Sequence, residues 1–204
     1  SEFFEDSIHE GNKVQLSTYE RGILRTSWIS GIFVAITSII GMIVEYILIH
    51  DGDFYNNGLF YRLGWSIPFL TSLFFFLRGY KKLGDVFENK TLVSATYIYF
   101  GIEVVITLTT LALSVFYIEE YTSGILSGIV IVLLFGVGEL ILGISVLKLK
   151  EYLGPLAQVV GILKIVNGAM FISIIFSPIS VFLMIPILIM EIVLMYNATQ
   201  KIGK

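Results

Sequence analysis

The sequence predicts an all-α fold: a polytopic integral membrane bundle of six transmembrane helices. Three observations predict it. Of 204 residues, 56% are hydrophobic and the mean hydropathy is +0.87. Only 14% are charged, where a soluble domain carries about 25%. And six apolar stretches approach the roughly 20 residues that a helix needs to cross about 30 Å of hydrocarbon. A chain this apolar has too few polar groups to cover its own surface in water.

The stretches run over approximately 25–50, 57–79, 91–117, 122–148, 156–176 and 179–198. The last two are divided at Pro178, since one helix of that length would overshoot the bilayer. Pro186 falls inside the sixth and is expected to kink it. Residues 1–22 form a polar, acidic segment without the basic start and short apolar core of a signal peptide. Residues 23–204 form the transmembrane domain.

Charge sets the expected direction. Arg21 and Arg25 flank the first span, Arg78, Lys81, Lys82 and Lys90 follow the second, and Lys148 and Lys150 follow the fourth. Lys201 and Lys204 close the chain. All fall on one side, whereas the opposite loops carry Asp51, Asp53, Glu119 and Glu120, with Arg62 nearby. The excess of cations places both termini in the cytoplasm, in a cell membrane. Two glycosylation-like triplets on that same side, at Asn89 and Asn197, read as chance matches.

Three stretches resemble one another: RGYKKLG (78–84), KLKEYLG (148–154) and NATQKIG (197–203). Helix-end chemistry alone accounts for them, because glycine accepts a left-handed conformation and cations meet the last carbonyls. Three repeated helical hairpins (22–84, 85–154 and 155–203) account for them too. The lead STYERGILRTSWISG and the lysine-rich segments GYKKLG and KEYLG resemble archaeal multi-pass membrane proteins of uncharacterised function. That resemblance implies a prokaryotic cell membrane and supplies no catalytic residue.

Ionisable residues inside spans are functional candidates by default. Glu139 lies nine residues before Lys148, roughly 13 Å deep, and Lys164 roughly 12 Å deep from the same face. Joined by a short loop, the two can pair. Glu191 lies roughly 10 Å deep and Glu103 deeper still. Asn167 sits one turn beyond Lys164 and can join them. One lysine cannot neutralise three glutamates, so a surplus carboxylate must hold a proton or water. Glu45 is expected to reach the outer headgroups. Tyr80, Tyr152 and Tyr196 read as interfacial anchors. Gly124, Gly128, Gly136 and Gly143 recur along the fourth span and let helices approach closely, within the chain or between copies.

Much chemistry is missing. With no cysteine and only His9 and His50, thiolate zinc, iron–sulfur and histidine di-metal sites are excluded. No phosphate-binding glycine loop or nucleophile elbow occurs. The net charge of −3 argues against nucleic acid. The expectation is a non-enzymatic protein without cofactor or metal. Its partners are the lipid bilayer and other membrane subunits or copies of itself, and its role is that of a subunit or scaffold. A small cation or proton channel or transporter is the alternative.

Overall fold

The computed structural model describes residues 17–50, 58–115 and 121–201. They form seven helices: α1 (Thr18–His50), α2 (Gly58–Val86), α3 (Lys90–Val115), α4 (Tyr121–Leu147), α5 (Lys150–Leu153), α6 (Pro155–Ile172) and α7 (Ser177–Lys201). All but the four-residue α5 are long and apolar enough to cross a membrane. The chain is a multi-pass membrane protein. Its outer surface is set with exposed Phe33, Ile43, Phe60, Ile67 and Phe182, which suits acyl chains.

Local chemistry explains the helix boundaries. α1 starts earlier than the apolar pattern, because Ser17 and Glu20 form a reciprocal cap. The Ser17 N–H donates to Glu20 Oε2 at 2.8 Å, and the Glu20 N–H donates to Ser17 Oγ at 3.3 Å. Glu20 also pairs with Lys82 of α2 at 2.5 Å. Asn89 starts α3 by accepting the Leu92 N–H at 3.1 Å, and its amide donates to the Ser145 carbonyl of α4 at 3.3 Å. One of the two glycosylation-like triplets thus holds a helix cap.

The three glycine-closed segments behave differently from one another. Gly154 has φ 80° between α5 and α6, the left-handed value that glycine allows. Gly84 instead stays inside α2, and Glu88 carries the positive φ of that turn, 53°. A Cβ on Gly84 would lie 2.7 Å from Val93, so this glycine serves the approach of α3. Gly203 lies outside the described residues. The break between α6 and α7 falls at Ser173–Phe176, where Ile174 has φ 57°. Pro178 then occupies the first turn of α7, where its missing N–H is harmless. α7 continues through Pro186, as α2 does through Pro68.

Each spanning helix packs against its neighbour in sequence, and α7 returns to α1. Six helices therefore close a ring. At the end where α1 begins and α7 ends, the interior is filled by Leu24, Tyr80, Leu83, Leu92, Leu149 and Met195, all buried. Toward the other end the ring encloses a cavity of about 590 Å³, bordered by residues of all six spanning helices.

The backbones of α4 and α6 approach one another closely. A Cβ on Gly136 would lie 2.9 Å from the Gly168 carbonyl, and one on Gly168 would lie 2.7 Å from the Gly136 carbonyl. A turn or two along, a Cβ on Gly143 would lie 2.9 Å from the Ile165 nitrogen, and one on Gly161 would lie 2.7 Å from the Leu147 backbone. Gly136 and Gly143 are thus used within the chain. Gly128 has open space at its Cβ position, and the side-chain surroundings at Gly124 lie outside the described residues. Gly168→Val is expected to separate α4 from α6 and to destabilise the protein by about 1–3 kcal/mol, the usual cost of overpacking. Gly128→Val is expected to be near neutral. Melting of both variants in one detergent checks the contrast.

Candidate functional site

The close α4–α6 contact sets what can meet between these helices. Glu139 lies one turn from Gly136 and Lys164 one turn from Gly161 and Gly168, so both side chains emerge where the backbones almost touch. Lys164 Nζ donates to Glu139 Oε1 at 3.0 Å and lies 3.1 Å from Glu191 Oε1 of α7. One ammonium therefore bridges two carboxylates on two different helices. Lys164 is 2% exposed, so these contacts replace the water it has lost.

Each of the two bridged oxygens accepts a second donor. The Tyr99 hydroxyl of α3 donates to Glu139 Oε1 at 2.9 Å, and the Tyr80 hydroxyl of α2 donates to Glu191 Oε1 at 2.7 Å. The Lys164 ammonium also lies 5.3 Å from the centre of the Tyr99 ring, within range of a cation–π attraction. Five helices thus converge on this network: α2, α3, α4, α6 and α7. Two charge-assisted hydrogen bonds and two tyrosine donors tie them across the interior of the ring.

The remaining expected members stand at the network's edge. Glu103 is buried on α3, one turn from Tyr99, and borders the cavity. It makes no ion pair among the described residues. Asn167 is 1% exposed and also borders the cavity, yet neither its Nδ2 nor its Oδ1 has a hydrogen-bond partner. The second oxygen of Glu139, Oε2, is buried and unpartnered as well. The structure thus brings Glu139, Lys164 and Glu191 into direct contact and leaves Glu103 and Asn167 outside those contacts.

One expectation about a single residue is corrected. Tyr80 is fully buried rather than interfacial, because its hydroxyl has the Glu191 carboxylate as partner. Glu45 forms a two-point pair with Arg62 of α2, at 2.7 Å from both Nε and Nη2, and its side chain stays partly exposed. Arg62 is itself buried, so the pair satisfies two groups that neither lipid nor apolar side chains could. The acidic residues Asp51, Asp53, Glu119 and Glu120 lie outside the described residues. Tyr99 was not singled out from sequence, although its spacing of four residues from Glu103 places both on one helix face.

The chemistry of the site follows from its charges. Glu103, Glu139 and Glu191 offer three carboxylates against the one ammonium of Lys164. In a medium that hydrates charge poorly, the surplus negative charge needs a proton, a cation or enclosed water. The cavity beside it supplies the space. Among the described residues, no three carboxylate or imidazole groups converge closely enough to hold a metal ion.

Removing the ammonium alone leaves carboxylates facing one another in a buried site. Lys164→Met is therefore expected to destabilise the protein by about 3–5 kcal/mol. Combining it with Glu139→Gln and Glu191→Gln is expected to recover most of that loss, since no charge is then left unpaired. Thermal melts of the single and triple variants in detergent measure both effects, and a triple variant no more stable than the single one would show that the loss is steric.

No protein-family model, curated protein or solved structure matches the chain, and its function is read from this geometry.

Proposed function

We propose that the protein is a non-enzymatic carrier of the cell membrane that moves a small cation or proton by way of Glu103, Glu139, Lys164 and Glu191. The observation that carries this reading is the junction of a cavity of about 590 Å³ with a buried cluster rich in carboxylate. Cavity and cluster lie on the axis of the ring, where a solute crossing the membrane would pass. The interior is filled on the side of the chain ends and hollow on the other, an arrangement suited to a carrier open to one side at a time rather than to an open pore. The basic residues Arg21, Arg25, Lys81, Lys82 and Lys148 gather at the filled end, which in this reading faces the cytoplasm. The resting cavity would then face outward.

A carboxylate that exchanges a proton or cation with the cavity alters the charge balance around Lys164. Because Lys164 holds α4 and α7 together through two ion pairs, loading or unloading of Glu139 would change how firmly those helices are joined. That couples occupancy to helix packing, which a carrier requires.

The alternative role, a subunit or scaffold of a larger membrane assembly, makes a different prediction for the same preparation. Wild-type protein in liposomes is expected to pass protons or monovalent cations down an imposed potential, read with entrapped indicator dyes. Glu139→Gln is expected to reduce that flux at least tenfold while leaving the helical content intact, and Glu103→Gln to reduce it without altering the ion pairs. Wild-type flux equal to that of empty liposomes, with a partner co-purifying in fixed ratio, would favour assembly instead.

A further inference from the structure

A second hollow, separate from the cavity inside the ring, lies between α1 and α2 at the end where α1 begins. It measures about 310 Å³ and is bordered by Tyr19, Gly22, Ile23 and Thr26 of α1 and by Phe75 and Arg78 of α2. Its rim is open: Tyr19 is 73% exposed, and Gly22 and Thr26 are exposed with it. Gly22 makes the room, since a Cβ there would have no atom within 4 Å. The Thr26 hydroxyl donates to the Gly22 carbonyl at 3.0 Å, which leaves Arg78 and Tyr19 as the side-chain donors of the hollow.

Helix length gives its depth. α1 and α2 have 33 and 29 residues, roughly 50 and 43 Å at 1.5 Å per residue. Hydrocarbon takes up about 30 Å of that, so the last turns at each end stand among headgroups. Arg78 lies two turns before the end of α2 and Thr26 two turns after the start of α1, both roughly 12 Å inside the helix ends. The hollow therefore reaches from the headgroup layer to the outermost acyl carbons.

The charges around it have one sign left over. Glu20 is engaged at both oxygens: Oε1 lies 2.5 Å from Lys82 Nζ, and Oε2 accepts the Ser17 N–H at 2.8 Å. Asp85 pairs with Lys81 at 3.5 Å. Arg78 makes no ion pair among the described residues, and its guanidinium carbon lies 5.9 Å from the centre of the Phe75 ring. Arg21 and Arg25, both exposed on α1, add to the positive field. A half-exposed guanidinium is satisfied by water, so these charges set the sign of the site and no more. The case for a ligand is its place: an open hollow at headgroup depth is filled from the surrounding bilayer, and the charge selects what fills it.

We propose that this cleft binds one anionic phospholipid, with Arg78 donating to the headgroup phosphate, Tyr19 offering its hydroxyl at the rim, and the glycerol and first acyl carbons lying against Ile23 and Phe75. Arginine suits the phosphate because its parallel N–H groups match two phosphate oxygens. Basic pockets between membrane helices at headgroup level take lipid phosphates in this way. A zwitterionic lipid carries the same phosphate with a cationic amine attached, which Arg21, Arg25 and Arg78 repel. The site is independent of the ring cavity and stands whether or not the protein is a carrier.

The test is native mass spectrometry of the full chain, released from detergent after equilibration with dioleoyl phosphatidylglycerol or with dioleoyl phosphatidylcholine. One phosphatidylglycerol per chain is expected to bind about fivefold or more tightly than phosphatidylcholine. Arg78→Gln is expected to bring phosphatidylglycerol down to the phosphatidylcholine level. Gly22→Leu fills the hollow without altering charge and is expected to weaken phosphatidylglycerol about fivefold. Its open Cβ position makes it a test that does not depend on how the arginine variant folds. Arg25→Gln removes a neighbouring charge outside the hollow and is expected to weaken binding less than about twofold. Glycerol phosphate in large excess is expected not to displace the lipid, which separates a lipid headgroup from a free phosphate. The proposal is overturned if the two lipids bind equally, if either Arg78→Gln or Gly22→Leu binds phosphatidylglycerol as the wild type does, if Arg25→Gln weakens it as much as Arg78→Gln, or if glycerol phosphate displaces it.

Discussion

The arrangement depends on keeping one ammonium group charged and satisfied in the middle of a protein surrounded by hydrocarbon. Lys164 is buried on a helix that must cross a medium hostile to charge. It is tolerable because Glu139 and Glu191 lie at 3.0 and 3.1 Å from its nitrogen. Those carboxylates in turn need donors, and Tyr80 and Tyr99 provide them. Satisfying a single cation thus recruits four side chains from four other helices. The order of helices around the ring and the polar network are two views of one constraint.

That constraint also divides the molecule. Below the network, toward the chain ends, the interior of the ring is packed with large apolar side chains such as Leu83, Leu149 and Met195, with small residues such as Ser27, Ala157 and Ala198 between them. Interiors of this kind gain from dispersion and from the exclusion of lipid, and they hold the helix ends in place. Above the network the ring stays hollow, with hydroxyl-bearing and aromatic residues on the wall. The Glu45–Arg62 pair fastens α1 to α2 on this side. A firmly packed half and a hollow half meet at the charged layer, so a change in its charge would be felt by both.

Glycine is the second feature. The α4–α6 contact is made close by the absence of Cβ atoms at Gly136, Gly143, Gly161 and Gly168, and the Glu139–Lys164 pair forms within it at 3.0 Å. Each pair of glycines is seven residues apart, two turns of helix, with Glu139 and Lys164 between them. Small residues and charged residues, which sequence inspection treats as separate signals, are parts of one contact.

The sequence by itself determined the medium, the number of crossings and the depth of the charged residues. Those properties are local: twenty apolar residues in a row cross a bilayer whatever surrounds them, and depth follows from helical rise. The meeting of Glu139 with Lys164 was legible for the same reason, since a short connection and equal depth leave little freedom. Closure of the ring, the cavity and the second bridge to Glu191 were decided only by the tertiary structure, because they depend on the rotation of each helix about its axis. Rotation is set by packing among several helices at once, and spans that are apolar all round carry little periodic signal to reveal it. Tyr80 shows the consequence. Its place near a span's end suits an interfacial anchor, and only the rotation of α2 turns it inward to the carboxylate of α7.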